Sequence, residues 1–501
     1  MQIESPIITL TLDDEAASQR LGEDIAPILK SGDCLLLSGD LGMGKTTIAR
    51  ALIRAFLNNN DEEVPSPTFT LVNHFEKDRA ALAHYDLYRI AHADELLELG
   101  FKEDLDLGIT LVEWPERAAS DMPQDALTLK IDTAGAGRSI SFYGNKDWAQ
   151  RIKRTVQIRA FLDGAGWDKA TRRFLQGDAS ARSYEKVRKA DGTLAVLMDA
   201  PANKDGPIIK DGKRYSELAH LAEDVRPFVA IGEALRAHDL PAPELYAHDL
   251  DAGLLLMQDF GPQTVIVDEE PARERYEVAL DILAKMHGYS WPESALLPDG
   301  STHKLAHFDQ TVFEIEISLL QEWYAPHVAK TTFSDQAQTD YKAIWQKLFD
   351  IVSSGEKSWF LRDYHSPNLM WRPLEQGDER IGIIDYQDAL IGPSAYDVAS
   401  LCQDARYTVS GEMEEHLKAR YINARQNQNR AFDVEAFGRD YAIIAAERGT
   451  RLLGLWPRLK YRDGKDHYMA HMPRTKEYLH RAFMHPILQD LKLWYADNLG
   501  I

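Results

Sequence analysis

The run GDLGMGKTT places Gly39, Gly42, Gly44, Lys45, Thr46 and Thr47 between the apolar stretch DCLLLS and the helix-compatible stretch TIARALIRAFL. That is the register of a phosphate-binding loop. Glycines let successive backbone N–H groups turn toward phosphate oxygens, and the start of the following helix adds its positive end. Lys45 is then placed to reach the outer phosphates of ATP and Thr46 to ligate Mg2+. Two acids at strand ends complete the set. Asp86, closing LAHYDL, is suited to hold Mg2+ directly or through water, and Glu113, in LVEWPE, to orient or deprotonate an attacking water. Singly, each acid also fits a turn or a solvated strand end.

A second group lies far along the chain. LRDYHSPNLMW sets Asp363 five residues before Asn368, and IGIIDYQDALIG supplies Asp385 after an apolar run. One carboxylate can position or deprotonate an acceptor hydroxyl while the Asn and the later Asp hold the Mg2+ that bridges ATP phosphates. Any one of these residues could serve only a turn or a helix cap. Asp397, in GPSAYDVASL, is expected to buttress the loop that carries Asp363.

Elements that would position these groups follow from the hydrophobic pattern. Around the first group, strands are expected over 33–38, 68–75, 82–87, 109–114, 126–132 and 138–144, with a helix over 47–57 and a short one near Glu95. This is a small α/β P-loop domain closing near residue 145. The stretch 148–167 is basic, helix-compatible and ends in a Gly-containing breaker, so it reads as a connector. Beyond it a β-like run over 193–200 precedes alternating helices and loops, which predicts a small sheet lobe, 168–260, and a helical lobe, 261–501. The domain reading is thus 1–147, 148–167 and 168–501, in keeping with a 501-residue chain that exceeds one core.

Composition excludes several classes. No apolar run approaches the roughly 20 residues a bilayer span needs, and the acidic N-terminus lacks a leader-like pattern, so a cytoplasmic protein with no membrane partner is expected. Only Cys34 and Cys402 occur, which argues for plain buried thiols rather than disulfides or zinc. A net charge of −22 opposes direct contact with a nucleic-acid backbone. Any such role would run through a partner.

GDLGMGKTT, SPTFTLVNHF, HYDLYRI and LVEWPER occur in the order and approximate spacing of the TsaE (YjeE) ATPases, which the first domain resembles over roughly residues 8–145. The resemblance implies a role in threonylcarbamoyladenosine modification of tRNA, with TsaB- and TsaD-like partners contacting the tRNA. It also implies that Ser66, Pro67 and Thr68 form a switch-like loop near the γ-phosphate, and that Asp86, Glu113 and Trp114 belong to the site.

The second group resembles the aminoglycoside phosphotransferase family, which implies an α+β bilobal protein-kinase-like fold acting on small-molecule hydroxyls. Two departures stand out: Leu361 and Arg362 replace the first two residues of the family's H-G-D pattern, and AVLMDAP (195–201) lacks the lysine of the third small-lobe strand. The loop 176–187 could cover phosphates with Arg182 adding charge, or be a simple hairpin. QGDASARSY, VLMDAP, LLLMQDFG and GLWPRLKYRDGKDHYMAHMPRTKEYL look like the AmgK sugar kinases, over roughly residues 165–485. That implies phosphorylation of the anomeric hydroxyl of N-acetylmuramate or N-acetylglucosamine, with Met257 to Asp259 as the interlobe hinge facing adenine. Kinase action on another small alcohol, or a silent scaffold, remains the alternative for this half.

Overall fold

The structure is a computed structural model, and it describes residues 5–77, 80–92, 95–175, 182–203, 208–210 and 212–501. It divides into two compact units, Met1–Ala200 with Tyr246–Gln258, and Pro201–Leu245 with Asp259–Ile501.

In the first unit the order is β1 (Ile8–Leu12), α1 (Glu15–Ile25), β2 (Cys34–Ser38), α2 (Lys45–Leu57), β3 (Val72–Lys77), β4 (Ala80–Asp86), α3 (Glu95–Glu98), α4 (Phe101–Leu107), β5 (Ile109–Glu113), β6 (Leu127–Ala134), β7 (Gly137–Tyr143) and α5 (Lys146–Gly164). The strands make one sheet in the order β1-β7-β6-β2-β5-β4-β3. Its centre is parallel, with β2 between β5 and β6, and its margins are antiparallel. Burial on both faces explains why β2 reads as a continuous apolar run. Leu35 and Leu37 enter the core under α1 and α2, while Cys34 and Leu36 enter the core on the other face.

Two local expectations change. The strand expected over 68–75 begins only at Val72, because Leu71 adopts a left-handed φ of 65° and its N–H bonds Pro67 O, closing a turn. β1 was not anticipated from sequence; of its five residues only Leu12 is buried, so little apolar signal marks it.

α5 continues into a second, antiparallel sheet that contains β8 (Thr171–Leu175), β9 (Ser183–Arg188), β10 (Leu194–Asp199) and the strands Leu245–Asp249 and Leu254–Gln258. The β-like run read over 193–200 is β10. Trp148 and Ile152 of α5 sit in the core of the P-loop sheet, whereas Ile158 and Leu162 sit in the core of the second sheet with Val187, Leu197 and Leu256. The stretch read as a connector is therefore a packed helix shared by two cores.

The second unit is mainly helical, and a 28-residue helix, Val434–Tyr461, runs through its interior with 17 residues buried. Two small ribbons, Lys357–Phe360 with Leu390–Pro393 and Leu369–Trp371 with Ile381–Ile383, carry the second candidate site. Among the described residues no helix is long and apolar enough to cross a membrane. Both cysteines are free and buried.

Candidate active sites

The first site forms where β2, β4 and β5 end on the same edge of the sheet. Gly44 closes the loop at φ 93° as the N-cap of α2, a left-handed conformation that glycine adopts without steric cost. Gly39 is equally constrained, since a Cβ there would meet Ile131 O at 2.6 Å. Lys45 Nζ donates to Gly39 O at 2.7 Å and Asp40 O at 3.0 Å, and lies 3.6 Å from the centre of the Trp114 ring. Burial lowers its pKa, opposed by the charges of Glu113, Glu116, Asp86 and Asp40. Trp114 is itself left-handed, at φ 60°, and its N–H bonds Leu37 O, which pins the ring over the loop.

The two acids take separate partners. Asp86 Oδ2 accepts from Ser66 Oγ at 3.0 Å and Thr68 Oγ1 at 2.7 Å, while Oδ1 accepts from the Tyr88 N–H. Glu113 Oε2 accepts from Thr46 Oγ1 at 2.8 Å, and Oε1 lies 3.0 Å from His84 Nε2. Gly42, Gly44, Lys45, Thr46, Thr47, Ser66, Thr68, Asp86, Glu113 and Trp114 all line one cleft of about 360 Å³. Gly39 is not among the lining residues but holds Lys45 in place.

His84 is the residue the sequence argument passed over. It is fully buried, and its Nδ1 has no hydrogen-bond partner. With Nε2–H donated to a carboxylate and Nδ1 enclosed, the neutral tautomer is the one this site accommodates. The available signal was strand alternation in HYD, which puts His84 on the face of Asp86.

In the second site, Asp363 follows Arg362, whose φ is 70°, and Asp385 sits at φ 60°. Asn368 Nδ2 donates to Asp363 O at 3.0 Å and to Asp385 Oδ2 at 3.3 Å, and Gln387 Nε2 donates to Asp385 Oδ1 at 2.8 Å. The three expected residues are thus brought together, with Gln387 as an unforeseen neighbour. Asp397 accepts from the N–H groups of Leu361 and Arg362, the buttress expected from sequence, and burial pushes its carboxyl up to about 7.

The departure at 361–362 has a structural answer. Leu361 is buried, and the Arg362 guanidinium turns into the interior to pair with Glu316 and to donate to Ala219 O at 2.8 Å. Burial alone would raise the Glu316 pKa, but Arg451 and Arg362 hold it down to about 2. The loop is anchored through this pair and through Asp397.

Met257 is 4% exposed in the strand Leu254–Gln258, and Asp259 Oδ1 accepts from the Gly261 N–H at 2.8 Å. β10 carries no lysine. One strand over, Lys186 stands in register with Val196, which in turn faces Met257 across the next pair, so the three share a row. Residues 176–181 of the loop read as a phosphate cover lie outside the described residues.

Both donor sets suit a hard cation: hydroxyl and carboxylate oxygens at Thr46, Asp86 and Glu113, amide and carboxylate oxygens at Asn368 and Asp385. Among the described residues no cluster of three or more His, Cys, Asp or Glu is present. That favours Mg2+, which takes one or two carboxylates and completes its shell with water and phosphate.

Comparison with known proteins places both halves. Residues 12–140 match the family described as threonylcarbamoyl adenosine biosynthesis protein TsaE, and residues 171–435 match the phosphotransferase enzyme family, APH. The N-acetylmuramate/N-acetylglucosamine kinase of Caulobacter vibrioides is 33% identical over 357 residues, covering 68% of this chain and 96% of its own. The kinase of the same description from Pseudomonas putida is 30% identical over 309 residues, 61% of this chain and 81% of its own. The tRNA threonylcarbamoyladenosine biosynthesis protein TsaE of Aquifex aeolicus is 42% identical over 116 residues, 23% of this chain and 80% of its own. Both are families of ATP-using enzymes, and the chain belongs to the phosphotransferase enzyme family, joined to a domain of the TsaE family.

Proposed function

We propose that the first domain hydrolyses ATP in support of threonylcarbamoyladenosine modification of tRNA, and that the second transfers phosphate from ATP to the anomeric hydroxyl of N-acetylmuramate or N-acetylglucosamine. For the first, the supporting observation is the convergence of Lys45, Thr46, Asp86 and Glu113 on one cleft. For the second, it is the Asp363, Asn368 and Asp385 cluster together with the Caulobacter relative, matched over nearly its whole length.

In the first site Lys45 would leave its carbonyl partners for the outer phosphates, and the loop N–H groups would hold the rest. Thr46 and Asp86 would hold Mg2+, which neutralises phosphate charge. The Thr46 hydrogen bond brings Glu113 beside the same ion, so it would orient the attacking water from there. Ser66 and Thr68, on Asp86, would report the presence of the γ-phosphate. In the second site Asp363 would take the proton of the acceptor hydroxyl, while Asn368 and Asp385 hold Mg2+. An anomeric hydroxyl is more acidic than an ordinary alcohol, so modest basicity suffices. Met257 and Asp259 would flank adenine.

The functional domains are assigned to 1–147, 148–167 and 168–501, with TsaB- and TsaD-like proteins as partners of the first and a cytoplasmic location for both reactions. The deciding experiment offers the chain ATP with a panel of N-acetylhexosamines, aminoglycosides and choline-like alcohols. Phosphate incorporation at the sugar C1 is expected; transfer only to another class, or to none, would sink the sugar assignment.

A further inference from the structure

Three elements of different origin meet at one buried charge cluster in the first unit. Asp24 lies near the end of α1, inside the TsaE-matched range; Arg172 and Glu185 lie on β8 and β9, inside the phosphotransferase-matched range; Thr155 and Arg159 come from α5 between them. Arg172 is completely buried. Its Nε and Nη2 donate to the two oxygens of Glu185 at 2.7 and 2.8 Å, and its Nη1 donates to Asp24 Oδ1 at 3.1 Å and Thr155 Oγ1 at 3.0 Å. Arg159 grips Asp24 from the other side, at 2.9 and 2.6 Å. Two carboxylates and two guanidiniums balance. A buried guanidinium is tolerated only when its partners are all in place, and removing one leaves an uncompensated charge. Here one of those partners is supplied by the ATPase domain.

The cluster is one part of a continuous seam. Arg173 Nη2 on β8 donates to Asn60 Oδ1 at 2.6 Å, three residues past the end of α2, and pairs with Glu23. Arg154 of α5 pairs with Asp199 at the end of β10 and donates to Ala252 O at 2.8 Å. α1 is pressed on α2 so closely that a Cβ on Gly22 would meet Ile48 O at 2.5 Å. From Lys45 at the head of α2, packed contacts therefore run through α1 and Asp24 to the strands of the second sheet.

We propose that the ATPase domain is a positioning part of the sugar kinase: through Asp24 it fixes β8 and β9, and with them the sheet that carries Met257, in the pose that binds the kinase's ATP. Asp24 is a positioning residue in this account, touching no substrate. The inference rests on the kinase reading given above, in which that sheet grips the nucleotide. It makes the fusion a functional necessity for the second enzyme, since the interior charge of Arg172 is balanced from outside the phosphotransferase range.

The test measures sugar phosphorylation by the full chain at varied ATP. Asp24→Asn should raise the KM for ATP about fivefold or more while kcat and the KM for sugar move less than about twofold, and Asp24→Glu should recover most of the loss. The control is Arg151→Ala, which breaks an equally buried pair with Asp33 that has no tie to the second sheet. A merely destabilising change would act alike in both variants. Equal KM values for ATP in Asp24→Asn and Arg151→Ala, both folded by circular dichroism, would overturn the proposal. Should Asp24→Asn not accumulate folded, Arg173→Met, which cuts only the outer tie to Glu23 and Asn60, is read the same way. A wild-type chain that phosphorylates no sugar would instead overturn the kinase reading, and the positioning role with it.

Discussion

The P-loop cleft and the catalytic loop around Asp363 hold their carboxylates by opposite means. In the cleft, Asp86 and Glu113 are held by small neutral donors, the hydroxyls of Ser66, Thr68 and Thr46 and the ring of His84, at the edge of a sheet whose backbone is fully paired. Under the catalytic loop, the supporting groups are charges in the interior: Arg362 with Glu316 and Arg451, and Asp397 against two N–H groups. A hydroxyl can release its carboxylate to a cation at small cost, so the first arrangement suits a site that rearranges with its nucleotide. Buried ion pairs lose several kcal/mol when broken, so the second suits a loop that stays put.

Substitutions can break this contrast or sharpen it. The largest expected effect is from Asp363→Asn, which should lower kcat for sugar phosphorylation by about a thousandfold, within the usual span for a general base, while nucleotide binding at the P-loop is unaffected. Loss of both in a folded chain would show that the sites are not separable. Next is Arg362→Met, expected to destabilise the second unit by about 3–5 kcal/mol because Glu316 loses a buried partner, read as a shift in the urea midpoint. A shift within error would remove the claim that interior charge anchors the loop. Lys45→Ala should abolish threonylcarbamoyladenosine formation in cells that depend on this chain, with normal levels counting against the ATPase assignment. His84→Ala should slow ATP hydrolysis about tenfold, one lost orienting hydrogen bond, with His84→Gln losing less because its amide can still donate to Glu113. Equal rates in the two variants would mean that His84 only fills space.

The smallest effect concerns pH. Burial pushes Asp397 up to about 7, so between about pH 4 and 7 the folded chain binds a proton that the unfolded chain has released. Stability from this group is therefore present at low pH and lost as pH rises through 7. The second unit should lose on the order of 1–2 kcal/mol between pH 5 and 7, and Asp397→Asn should flatten that slope whatever it does to the absolute value. An unchanged slope would show that its two N–H donors keep the carboxylate charged.

Much of this was legible in one dimension because the chemistry is local in sequence. A phosphate loop needs its glycines, lysine and threonine within eight consecutive positions, and Asp363 and Asn368 sit five apart, so type and spacing alone point to ATP. Asp86 and Glu113 were found because strand ends deliver side chains to a sheet edge. His84 escaped because its role depends on β4 lying beside β5, a pairing that no local pattern encodes. The turn at Thr68 to Leu71 escaped for a related reason: the run alternates like a strand, and only the left-handed Leu71 ends it. Arg362 looked like a defect in a motif, and only the position of Glu316, 46 residues away in the chain, shows it to be an anchor.

The sequence by itself determined that two ATP-using sites exist, which residues carry their phosphates and metal, and which families supplied them, because those requirements are met by short runs with fixed spacing. Tertiary structure alone decided how the halves are joined. α5 reads as an unremarkable basic connector, yet its two ends enter two different cores, and Arg172 is a core residue only because Asp24, 148 positions earlier, neutralises it there. Burial of a charge depends on partners gathered from distant parts of the chain, and that information appears only when the chain is folded.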